Sequence, residues 1–108
     1  MKVITTNKIF ECDTATTNLQ IAKGLMFKRE FNPLLFIFPK EVHIPFHTLC
    51  MLKTIDLIFI NSDKIVVDKF TVKPFKYYIK SIAPFKYALE VKASEGKDIN
   101  IGDRVYIK

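Results

Sequence analysis

Two short apolar runs most constrain how this chain can fold: Leu34-Leu35-Phe36-Ile37-Phe38, closed by Pro39, and Leu57-Ile58-Phe59-Ile60, which follows Ile55-Asp56. Neither approaches the roughly 18 residues of a membrane span or the roughly 10 to 12 of a buried helix, so both read as core strands. Ten Phe, four Tyr and many Ile and Val support the same reading, because aromatic and β-branched side chains fit a pleated, half-buried surface. A chain of 108 residues is one domain, 1–108, able to bury about 65% of its unfolded surface without metals or disulfides. At 49% hydrophobic and 26% charged, it is neither disordered nor fibrous.

Strands are expected at Lys2 to Ile4 and Ile9 to Cys12, joined by a turn at Thr5-Thr6-Asn7-Lys8. One helix of about two turns follows, with Thr16 or Thr17 as N-cap, Asn18 to Lys23 as body, Leu19, Ala22 and Leu25 on one face, and Gly24 as stop. Leu34 to Phe38 reads as a strand buried on both faces and ended by Pro39, after which a loop between Pro39 and Pro45 carries His43. Phe46 to Ile60 is strand-like with a break near Lys53-Thr54, and Asn61-Ser62-Asp63-Lys64 turns it into a hairpin with Ile65-Val66-Val67. Pro-Phe-Lys-Tyr occurs at 74–77 and again at 84–87, an offset too short for a solenoid and expected of two similar turn-to-strand entries. Asn100 to Asp103 is a turn, and Arg104 to Ile107 a last strand.

His43, His47 and Cys50 are metal-ligand types, but Pro45 and the extended context deny them a shared helix face, so no metal or other cofactor is expected. Cys50 beside His47 suggests a nucleophile and its base, yet Leu49 and Met51 flank Cys50 as they would a buried, inert thiol. Cys12 and Cys50 have no Cys-x-x-Cys spacing and read as reduced thiols. Among carboxylates, Asp56 opens a strand, Glu90 interrupts an apolar pattern and Asp103 follows a turn glycine; capping of turn N–H groups is the favoured role for Asp56 and Asp103. The N-terminus lacks an apolar segment of signal-peptide length, so a cytoplasmic protein without membrane association is expected. Net charge is +6, but only Arg29 and Arg104 are arginines, which weakens base-specific recognition of nucleic acid.

Lys23-Gly24-Leu25-Met26 after the short helix, Leu35 to Phe38, His47-Thr48, Met51, Ile55-Asp56 and Phe59, then Leu89-Glu90-Val91 and Gly102-Asp103, resemble in order and separation the domain of unknown function family 192. The resemblance spans about residues 15 to 106, with departures at Cys50, Leu52 and Thr54. It implies a compact, mainly β, partly barrel-like antiparallel structure with one short helix, found in archaea and bacteria without a settled activity. The leading functional expectation is a binding domain for a small molecule or a protein, with a cleft lined by His47, Thr48, Asp56 and Glu90. A hydrolase-like enzyme using Asp56 and Glu90, or Cys50 with His47, is the alternative. A third reading is an electrostatic binder of single-stranded nucleic acid, for which Lys73, Lys76, Lys80 and Lys86 form one exposed stripe; it is not favoured. Oligomeric state is left open.

Overall fold

The computed structural model describes residues 1–23, 31–47, 52–76 and 78–108. In chain order the elements are β1 (Lys2–Ile4), β2 (Ile9–Glu11), β3 (Asp13–Ala15), α1 (Asn18–Lys23), β4 (Leu34–Val42), β5 (Ile55–Ile60), β6 (Val66–Val72), β7 (Phe85–Lys92) and β8 (Tyr106–Ile107). They form a three-stranded sheet in the order β2-β1-β8 and a five-stranded sheet in the order β3-β4-β7-β5-β6. All pairings are antiparallel except that of β3 with β4. The fold is mainly β with one short helix, and among the described residues the two sheets stay open rather than closing into a barrel.

The large sheet has a core on each face because its central strands alternate two apolar sets. Leu34, Phe36 and Phe38 of β4, Ile55, Leu57 and Phe59 of β5, and Phe85 and Ala88 of β7 build the first core. Leu35, Ile58, Ile60, Tyr87, Leu89 and Val91 build the second, against Val3, Phe10, Cys12 and Val105 from around the small sheet. Every residue of β5 is therefore buried. This explains why the run around Ile58 shows no polar alternation.

The cover of the first core follows from topology. β6 and β7 both run antiparallel to β5, so they are parallel to each other. Val72 ends β6 beside Ile55, whereas β7 begins near Ile60, so residues 73–84 must travel back along the length of the sheet. This strap pairs with Phe46 through Ile79, whose N–H and C=O make bonds of 2.9 and 2.7 Å to the Phe46 backbone. Ile79 is buried in the first core, and the Phe46 ring lies edge-on to Phe36, Phe59 and Phe85 at centroid distances of 5.2, 5.4 and 5.8 Å. Edge-to-face contacts of this kind add to the burial of each ring.

The short elements follow local rules. Thr17 caps α1 through its Oγ1, which accepts from Gln20 N at 3.1 Å, while Gln20 Oε1 accepts from Thr17 N and Thr16 N. This reciprocal pattern is a capping box. Gly24 and Leu25 lie outside the described residues. Leu19, expected on the inner face, is 79% exposed, and Ile21 packs against the first core instead. Two positions apart on a helix are about 200° apart, so a two-turn helix seats only one of them. β4 runs through Pro39 to Val42 rather than ending at it. Its pairing with β7 lapses between Ile37 and Val42, so the missing Pro N–H costs no ladder bond there. The Asn61 to Lys64 turn is as expected: Asn61 Oδ1 accepts from Asp63 N and Ile65 N, and Lys64 takes a φ of 66°. The two Pro-Phe-Lys-Tyr segments differ, because Phe85 is buried at the start of β7 whereas Phe75 sits in an exposed turn at φ 66°; Tyr77 lies outside the described residues.

Candidate functional site

Two carboxylates sit inside the large sheet, on neighbouring strands and on opposite faces. Asp56 on β5 lies opposite Val91, and Glu90 on β7 lies opposite Leu57. Asp56 alternates with Ile55 and Leu57 of the first core and so points towards the second, whereas Glu90 alternates with Leu89 and Val91 of the second and points towards the first. A one-residue offset is enough to separate them.

Asp56 is fully engaged. Its Oδ1 accepts from Thr71 Oγ1 at 2.8 Å and its Oδ2 accepts from Gly96 N at 2.9 Å. A Cβ at Gly96 would lie 3.1 Å from Asp56 Oδ2 and 3.0 Å from Ile58 Cδ1, so the loop approaches this closely only as glycine. Lys69 Nζ holds the same loop by donating to the carbonyls of Gly96 and Ile99, at 3.2 and 2.5 Å. Asp103 likewise accepts from Asn100 N at 2.8 Å. Both aspartates hold backbone, the role favoured for them from sequence.

Glu90 is different. It is 4% exposed, between Leu34 and Leu57 on the sheet, and its Oε1 has no hydrogen-bond partner. Burial raises its acid to about 8. Near neutral pH the group is therefore mostly an uncharged acid, able to donate one hydrogen bond and accept others. A buried polar atom without a partner normally costs about 1–3 kcal/mol.

Among the other expected site residues, His47 is exposed one residue beyond the Phe46 bridge, and Thr48 and Cys50 lie outside the described residues. Lys73, Lys76 and Lys80 are exposed on the strap, whereas Lys86 is half-buried in β7 with Nζ 5.8 Å from the Tyr87 ring centroid. Cys12 is buried, and loss of hydration pushes its thiol up to about 11, which makes it inert near neutral pH. A contact not anticipated from sequence is His43 Nε2 donating to the Ser81 carbonyl at 2.6 Å, which ties the end of β4 to the strap. Nothing local in the sequence signals it, because the partners are 38 positions apart. No helix among the described residues is long and apolar enough to cross a membrane.

These features of the described residues define a two-sheet, mainly β domain with a covered aromatic core and a buried acid whose Oε1 has no hydrogen-bond partner. The chain belongs to the DUF192 family, described as "Uncharacterized ACR", whose model matches residues 1–107. It is similar to a UPF0127 protein of Pyrococcus furiosus, with 38% identity over 86 residues covering 76% of this chain and 73% of the relative. A UPF0127 protein of Pyrococcus horikoshii is 40% identical over 82 residues, covering 74% and 70%. In architecture the chain is similar to a protein of unknown function from Novosphingobium aromaticivorans, with a TM-score of 0.89, 23% identity and coverage of 98% and 82%. A putative transcription regulator from Sinorhizobium meliloti gives a TM-score of 0.88 at 24% identity, covering 97% and 89%. At these identities the solved structures speak to the fold alone.

Proposed function

We propose that this chain is a non-enzymatic, cytoplasmic binding domain that takes a small, largely apolar ligand against Glu90, on the aromatic face of the large sheet. The observation behind this reading is the unpartnered Oε1 of a 4% exposed carboxyl group. Such a group is destabilising in the free protein unless something arrives to satisfy it. Its neutral acid form suits a ligand with a neutral donor and acceptor edge, such as a carboxamide, a urea or an alcohol. Hydrolysis by a carboxylate pair is disfavoured, because Asp56 has both oxygens occupied on the other face. Ligand-observed NMR with a set of small aryl and alkyl carboxamides, ureas and alcohols tests the reading on the wild type and on Glu90→Leu. Binding to the wild type that Glu90→Leu abolishes is expected; equal binding to both, or to neither, contradicts it.

A further inference from the structure

The strap over the first core has an outer side of its own. Burial alternates residue by residue along it: Tyr78 is exposed, Ile79 buried, Lys80 exposed, Ser81 buried and Ile82 exposed. In an extended segment, alternate residues share a side, so Tyr78, Lys80 and Ile82 face outward together. Tyr78 is 65% and Ile82 82% exposed, and Phe75, three positions before Tyr78, is 66% exposed. Phe75 lies in the turn that opens the strap, outside its alternating stretch.

This exposure does not come from a loose segment. Ile79 is paired with the Phe46 backbone, the Ser81 carbonyl accepts from His43 Nε2 at 2.6 Å, and Ile82 N donates to Asp68 Oδ2 at 2.8 Å. A strap pinned at Ile79, Ser81 and Ile82 nevertheless presents large apolar side chains to water. Charge on it is positive, with the Asp68 carboxylate beside Ile82 as the exception. Residues 73–84, the strap itself, carry Lys73, Lys76 and Lys80 with no Asp or Glu, and residues 42–55, which supply the paired Phe46, also have none. The flanking Asp68 carboxylate is itself occupied, accepting from Lys69 N and Ile82 N.

From this arrangement we infer that the outer side of the strap is a docking surface for single-stranded nucleic acid, with unpaired bases stacking on Phe75 and Tyr78 and the lysines meeting the phosphates. Exposed rings interleaved with lysine on a rigid support are what sequence-tolerant strand binding requires. Scarcity of arginine fits the absence of base-edge readout. A lipid surface is the weaker match, because these side chains lie along a strap pinned to the core rather than on an amphipathic helix that sinks about 5–10 Å into the headgroup layer.

The surface is separate from Glu90, and the test keeps the two apart. Fluorescence anisotropy with labelled oligo-uridine and oligo-thymidine is measured at low and at physiological ionic strength, beside sedimentation with phosphatidylglycerol vesicles. Oligonucleotide binding that salt weakens is expected, with roughly tenfold losses for Phe75→Ala and for Tyr78→Ala. Lys80→Ala is expected to shallow the salt dependence by about one phosphate, and Glu90→Leu to leave it unchanged. Circular dichroism checks that the variants stay folded. No oligonucleotide binding at low salt, equal binding by the ring variants, or binding to vesicles instead overturns the inference; the two oligonucleotides separate RNA from DNA preference.

Discussion

Glu90 sits where an apolar side chain would serve the fold better. Replacing it with leucine removes an unpartnered buried oxygen and keeps most of the volume, so Glu90→Leu is expected to be more stable than the wild type by about 1–3 kcal/mol in urea unfolding. Lower stability of the variant would mean that the carboxyl group already has a partner. The same group gives stability a pH dependence of defined sign. Its acid is raised from 4.5 to about 8, so across that window the folded chain holds a proton that the unfolded chain releases. Stability is full below about 4.5 and falls as pH rises towards 8, by at most about 1.4 kcal/mol per pH unit. Glu90→Leu is expected to lack this slope in urea titrations at several pH values. Gly96 provides the opposite case: Gly96→Ala crowds Asp56 and Ile58 and is expected to destabilise by about 1–3 kcal/mol. Glu90 stood out in the sequence because it breaks an apolar pattern. That Asp56 turns its back on it was not legible, because strand register decides the face and no local signal carries register.

Among the elements, α1 shows how far local rules reach. An N-cap at Thr16 or Thr17 and the span Asn18–Lys23 were readable, because capping chemistry is local, and the structure settles the cap on Thr17. Which side of so short a helix faces the core was not, since a tertiary neighbour decides it. Ile21→Ala is therefore expected to cost about 1–2 kcal/mol, while Leu19→Lys stays within about 0.5 kcal/mol, as chemical denaturation would show. The opposite ranking would reverse the helix face. Pro39 makes the same point for strands: proline ends a strand only where its N–H would be needed, and β4 passes through it where the ladder with β7 lapses.

On the scale of the molecule, one sheet divides two cores, and β5 is the wall they share. That the apolar runs become buried strands was legible from length and composition. The strap was not. It exists because β6 and β7 are parallel on either side of β5, a consequence of strand order rather than of residues 73–84 themselves. The two candidate sites lie apart, with Glu90 buried within the large sheet and Phe75, Tyr78 and Lys80 exposed. Both the ligand reading and the pH dependence rest on Glu90 being a neutral buried acid. The most direct measurement is a carbon-13 NMR titration of its carboxyl resonance, without and with a carboxamide fragment that binds. A midpoint near 8 in the free protein is expected, with a resonance that moves when the fragment is added. A midpoint near the ordinary 4.5, or a resonance that ignores the fragment, would contradict that reading.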